Sequence, residues 1–302
     1  MNSEINETIG QSSYKELVEA IGKGTLNAAA YFGLHDMGAV APGYKADLAV
    51  FDDLRTLNVK QVYKGGKLVA ENGKMLHQKE KNTDWSTEIK ERVFHSFHRV
   101  PITVEELQLK ETTGTHQRVI DMVAHELITK ERIEEWKELP GVAPGVDISR
   151  DIVKLAAIER HKNTGHVGLG FLGKYGLKKG AVATSIGHDS HNLVIAGVTD
   201  EDMVLAGNRV IENGGGLAIA LEGKVLADLP LPIGGLMADE PVEVVDEKLE
   251  HMKKLSVELG ISEDIDAFMT LAFISLPVIP KLRLNTYGVV DVEKHQVVEA
   301  RF

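Results

Sequence analysis

The chain contains no cysteine. That excludes a disulfide framework, a thiol nucleophile and any zinc site built on thiolates, including the His/Cys/Cys sites that deaminate nucleobases. A positive excess is also lacking: 34 lysines and arginines face 45 aspartates and glutamates, giving a formal charge of -11, the wrong sign for tracking a phosphate backbone. No nucleic-acid partner is expected. No stretch approaches the roughly 18 uninterrupted apolar residues of a membrane span, and Met1 to Gln11 is polar and acidic without an apolar core. No membrane partner and a cytoplasmic location follow as expectations. Repeats of solenoid length and low-complexity tracts are absent too.

Polar function is most concentrated at Ser185-Ile186-Gly187-His188-Asp189-Ser190-His191-Asn192. Two imidazoles, a carboxylate and an amide crowd together directly before the apolar run Leu193 to Val198, which reads as a buried strand. Unpaired polar burial costs about 1 to 3 kcal/mol per group, so such a run must bond to itself, to a metal or to a ligand. Loops at strand ends favour catalytic groups, and His188, Asp189, His191 and Asn192 become site candidates. The plainer reading is a glycine-led turn between strands, with Asp189 and Asn192 capping it and the imidazoles packed on the sheet. His188, Asp189 and His191 also have the donor types of a zinc or manganese site, though a distant fourth ligand cannot be assigned. Arg160, His161 and Lys162 form a short basic run ahead of Thr164-Gly165-His166; Arg160 and His161 join the pocket candidates, with a solvated loop as the alternative. His95, His98, His116 and His125 lack metal spacing and read as surface or core histidines.

With 302 residues the chain has room for two domains. Tyr14 to Phe32 carries apolar residues at helical spacing, weakened by Gly22 and Gly24. Ala46 to Phe51, Val59 to Tyr63 and Lys67 to Ala70, the last two joined by Gly65-Gly66, read as a strand and a hairpin. Glu71 to Ser86 is charged and aperiodic and is taken as a linker, setting domains at 1–80 and 81–302. Beyond it, Ile152 to Ile158, Gly180 to Thr184 and Leu193 to Val198 read as strands. Asp200 to Asn213 reads as a helix capped by Thr199 or Asp200, with Glu201 and Asp202 in its first turn. Gly214-Gly215-Gly216 follows that helix instead of opening one, so it is a helix stop and not a phosphate cradle. Leu217 to Ala227 reads as a hairpin and Pro241 to Gly260 as an amphipathic helix. The fold class is α+β.

Two sets of residues resemble a known family. Gly38-Ala39-Val40-Ala41-Pro42-Gly43-Tyr44-Lys45-Ala46-Asp47-Leu48-Ala49-Val50 resembles the segment by which amidohydrolase-superfamily chains leave their barrel for a β-sandwich. Val59 to Val69 resembles the sandwich's closing hairpin, and Thr25 to Leu34 the last barrel helix. Arg160 to Gly165, the His188 to Asn192 run and Leu229-Pro230-Leu231-Pro232-Ile233-Gly234-Gly235-Leu236 together resemble the C-terminal domain of bacterial adenine deaminases. The resemblance implies a β-sandwich remnant followed by an α/β domain, and hydrolysis of adenine to hypoxanthine and ammonia as part of purine salvage. It also implies a divalent metal, manganese or else iron or zinc, that lowers the pKa of bound water to about 7, with a positioned acid and base.

In that family the metals sit in a barrel needing about 250 residues, and only a last helix precedes the sandwich segment in this sequence. The chain is therefore expected to be a C-terminal portion that works with a metal-binding barrel in trans, its own residues lining the adenine pocket or supporting the metal ligands from behind. Exposed sheet edges left without that partner imply a homo-oligomer or poor solubility. Two other readings stand beside this one. One is a non-catalytic binding or assembly module, which an exposed apolar face at Leu17, Val18 and Ile21 would favour. The other is a self-sufficient metal hydrolase at His188 to Asn192.

Overall fold

The computed structural model describes residues 13–76, 85–109, 114–123 and 125–302. They divide into two compact units, Met1–Asp84 and Trp85–Phe302. The polar start Met1 to Gln11, and residues 77–84 of the expected linker, lie outside the described residues.

In the first unit, helix α1 (Tyr14–Gly22) opens with a capping box: Ser13 Oγ accepts from the Glu16 N–H, and the Glu16 carboxylate accepts from Ser13 N–H at 2.7 Å. It runs through a wider turn, Lys23–Asn27, into α2 (Ala28–Tyr31). The two glycines in the middle loosen this helix without ending it. Gly38 follows at φ +89°, and a Cβ there would lie 2.9 Å from Ala29 Cβ and from the Leu26 backbone, so only glycine lets this segment fold back on the helix. An antiparallel sheet then forms from β1 (Leu48–Phe51), β2 (Val59–Lys64), β3 (Lys67–Glu71) and β4 (Lys74–Met75). Asp47 fastens its turn, accepting from the Gly65 N–H at 2.8 Å and from Lys64. Leu17 is buried, whereas Val18 is more than half exposed, so the expected apolar face of α1 is only partly open.

The second unit starts with α3 (Thr87–Phe94) and is built on an eight-stranded sheet. Its strands are β5 (His116–Met122), β6 (Thr129–Glu135), β7 (Ile152–Ile158), β8 (Val167–Gly173), β9 (Ala181–Thr184), β10 (Leu193–Gly197), β11 (Gly216–Leu221) and β12 (Lys224–Pro230), ordered β12-β11-β9-β10-β7-β8-β5-β6. Every neighbouring pair is antiparallel except β5 and β8. The central strands are apolar at nearly every position because both faces are covered. Val153, Leu155, Ala157, Val194 and Ala196 join one core with helices α5 (Val242–Glu258) and α6 (Ala267–Ile274) and the small sheet β13 (Leu282–Asn285), β14 (Gly288–Asp291) and β15 (Gln296–Val298). Ala156, Ile158, Leu193 and Ile195 point the other way, onto helix α4 (Asp200–Glu212). The period of two that sorts these residues is the pleat itself. Each fully buried leucine or isoleucine contributes about 1.5–3 kcal/mol.

Small residues set how closely α4 lies on the sheet. A Cβ at Gly197 would meet Met203 Cγ at 2.2 Å, and one at Gly207 would meet Ile195 and Ile102 within 2.7 Å. The helix begins as its sequence implies, with Thr199 Oγ1 accepting from Asp202 N–H, and ends at the glycine triplet.

Candidate functional site

Antiparallel pairing brings separate stretches of sequence to one end of the sheet. Leu193 at the start of β10 faces Ile158 at the end of β7, Val194 faces Thr184 at the end of β9, and Thr184 faces Leu217 in β11. Arg160, Ser185, the 187–192 run and Gly215-Gly216 therefore emerge side by side.

Arg160 organises this end. It is 1% exposed, so the solvated-loop alternative is wrong for it, although His161 and Lys162 are exposed. Nε donates to the carbonyl of His191, Nη2 donates to the carbonyl of Gly234 at 3.1 Å, and the guanidinium carbon lies 4.9 Å from the Phe97 ring centroid. A Cβ at Gly235 would lie 2.6 Å from Nη1, so the glycine gives the guanidinium its room. Ser185 ties the same loop from beneath: Oγ donates to the Gly235 carbonyl at 2.6 Å and accepts from Gly216 N–H at 2.7 Å. Gly215, at φ +126°, would put a Cβ 2.3 Å from Gly235 Cα, so two glycine turns interlock there.

The 187–192 run is a turn packed against the end of α6. His188 N–H donates to the Ala272 carbonyl at 2.8 Å, its carbonyl accepts from Ser275 Oγ at 3.2 Å, and its ring lies 4.7 Å from that of Phe273. Asp189 and Ser190 are exposed, and His161 Nε2 lies 2.7 Å from the Ser190 carbonyl, which requires the proton on that nitrogen. Burial pushes the His191 pKa down, the Arg160 charge adds to this, followed by His188 and His161, and Asp189 only partly opposes them. His191 is therefore neutral at neutral pH. Behind the run, Glu159 is partly buried, which raises its pKa, yet the backbone N–H groups of Thr164, Lys162 and His161 and the Thr164 hydroxyl hold it down to about 2.

Three buried polar atoms at this end have no hydrogen-bond partner among the described residues: Arg160 Nη1, His191 Nδ1 and Asn192 Oδ1. Arg160 Nη1 is a donor, Asn192 Oδ1 an acceptor, and a neutral imidazole nitrogen can be either. Such groups are costly unless water or a ligand completes them. Of the sequence candidates, Arg160, His161, His188, His191 and Asn192 are brought together, and Asp189 stands at the exposed rim. Glu159, Phe97 and Phe273 belong to the same assembly and had no motif to announce them; Ser185 and Gly234-Gly235 lay within quoted runs, their reasons visible only in the packing.

The donor set does not fit a metal. The His188 and His191 ring centroids are 6.3 Å apart, and among the described residues no group of three or more His, Cys, Asp or Glu side chains converges. Two imidazoles fall short of the three protein ligands of an open catalytic zinc site.

Residues 10–69 match the amidohydrolase family, which agrees with the helix, the folded-back segment and the small sheet of the first unit. Residues 126–296 match the adenine deaminase C-terminal domain, a span that includes the Arg160 site apart from Phe97; the chain belongs to this family. It is 44% identical over 288 residues to adenine deaminase 2 of Carboxydothermus hydrogenoformans, covering 95% of this chain and 49% of that protein. It is 42% identical over 280 residues to an adenine deaminase of Petrotoga mobilis (93% and 48%) and 40% identical over 283 residues to one of Lysinibacillus sphaericus (93% and 48%). The chain spans about half the length of these relatives.

Proposed function

We propose that this chain is the C-terminal portion of an adenine deaminase and takes part in converting adenine and water to hypoxanthine and ammonia. The observation that supports this reading most is the 40–44% identity to adenine deaminases over more than nine-tenths of the chain. In this reading the divalent metal, manganese or else iron or zinc, belongs to a barrel that acts with this chain in trans, which is supported by the lack of a metal-ligand cluster among the described residues. That metal supplies an activated water when bound. The chain's own contribution is the sheet end: Arg160 Nη1 donates, Asn192 accepts or donates, and neutral His191 orients a polar ring edge, while Phe97 and Phe273 wall the site. Domains at 1–80 and 81–302, a homo-oligomeric state and a cytoplasmic location complete the proposal; no described helix is long and apolar enough to cross a membrane.

The test is conversion of adenine to hypoxanthine with manganese by the purified chain, alone and mixed with a separately expressed adenine deaminase barrel. Turnover in the mixture only is expected. Turnover by the chain alone would overturn the requirement for the barrel, and silence in both would overturn the catalytic reading in favour of a binding module.

A further inference from the structure

Arg283, on β13, is 1% exposed and meets no carboxylate among the described residues. Nη2 donates to the Leu127 carbonyl, and Nε has no acceptor among the described residues. Burial alone pushes its pKa down to about 10, so it keeps its charge at neutral pH. A buried cation normally persists only when paired, since its desolvation is costly. Its neighbourhood is fixed by Thr129, whose Oγ1 donates to the Leu282 carbonyl at 2.8 Å and accepts from Leu282 N–H at 3.0 Å, clamping β13 to the start of β6.

Arg283 lines a cavity of about 190 Å³ whose walls include Met122, Ile128, Met269, Phe273 and Ile274. This is far more than the roughly 10–15 Å³ that one water needs. Glu126 is also on the wall, but it is exposed and forms no ion pair with Arg283. An unpaired guanidinium in a pocket of methionine, isoleucine and phenylalanine combines a single positive charge with an adaptable apolar lining. An inorganic dianion fits that lining poorly, whereas one carboxylate on a short hydrocarbon chain satisfies both parts.

We propose that this cavity is a binding site for a small aliphatic monocarboxylate, with Arg283 as its counter-charge. The site borders on the Phe273 ring that also walls the Arg160 end, takes its charge from Arg283 instead of Arg160, and needs no deaminase activity to be observed. The probe is butyrate, with butyramide as the neutral control of the same shape, read by calorimetry and by the midpoint of thermal unfolding of the intact chain. Butyrate is expected to bind and raise the midpoint with concentration, and butyramide to bind at least about tenfold more weakly. Arg283→Met should abolish the difference between the two probes. Met269→Trp, at a position already 42% exposed, should block butyrate while keeping Arg283, and decides the matter should the arginine variant fail to fold. Absence of butyrate binding, equal binding of butyramide, or butyrate binding unchanged in Met269→Trp would overturn the proposal.

Discussion

Lys154 and Arg160 lie six positions apart and both are about 1% exposed, but their charges are handled differently. Lys154 Nζ pairs with Asp200 at 2.6 Å, and Gln108 donates to the other oxygen of that carboxylate at 2.8 Å. Burial lowers the lysine's pKa and Asp200 opposes it. Lys154→Met leaves the carboxylate buried without its cation, so a loss of about 3–5 kcal/mol is expected in urea unfolding, and Asp200→Asn in the same chain should recover most of it. Among the described residues Arg160 bonds only to carbonyls and lies over an aromatic face, and one of its nitrogens remains open. Arg160→Met is therefore expected to lower turnover of the complemented enzyme at least about tenfold and to loosen the Gly234-Gly235 loop, seen as faster amide exchange there. Glu159 makes the second residue-scale prediction. Its folded pKa of about 2 lies below the ordinary value of 4.5, so it stabilises the fold above pH 4.5 and that contribution fades as pH falls toward 2. Allowing for screening, it amounts to on the order of 2 kcal/mol. Glu159→Gln should flatten the acid limb of the stability curve, which urea titrations at pH 3 and pH 7 would reveal. From sequence, His188 to Asn192 was legible as a site candidate because polar density there was out of place beside an apolar strand. Glu159 was not, since a lone carboxylate acquires meaning only from the N–H groups that fold around it, and Ser185, though inside the quoted run, was not singled out for the same reason.

At the scale of elements, α4 shows how local signals and packing combine. Its cap is worth about 1 kcal/mol, and Thr199→Ala should lower stability by that amount without changing activity of the complemented enzyme. Gly207→Leu should cost more, about 1–3 kcal/mol or above, because Ile195 and Ile102 already occupy the space a Cβ needs; thermal unfolding of the two variants separates the effects. The start and stop of this helix were readable from Thr199, Asp200 to Asp202 and the glycine triplet, and the strands from Ile152, Ala181 and Leu193 from their apolar runs. Other elements gave no such signal. β6 reads Thr-Lys-Glu-Arg-Ile-Glu-Glu, an edge strand whose charges discourage pairing with other chains and hide its alternation. α6 is eight residues, apolar almost throughout, and has no polar face to define a period because it is buried. His116, read as a surface or core histidine, is exposed at the start of β5 and stacks with Phe302 at 6.2 Å.

For the molecule as a whole, the expected multimer can be checked by size-exclusion chromatography with light scattering. The chain is proposed to exceed its 33.0 kDa monomer mass, and a monomer would remove that part of the proposal. What the amino-acid order determined by itself was chemical and local: which reactions lacked their residues, where apolar runs and caps placed elements, and which motifs resembled the deaminase family. Cysteine chemistry was excluded by composition alone, and capping and periodicity act over a few residues, so no fold was needed to read them. The tertiary structure decided the convergence. Strand order put Arg160 beside the turn that begins 27 residues later in the chain, at Gly187, and the Gly234-Gly235 loop above both. It also left Arg283 buried without a counter-charge among the described residues. Those relations depend on pairings between residues distant in sequence, and a side chain's partners, burial and proton affinity exist only once those pairings have formed.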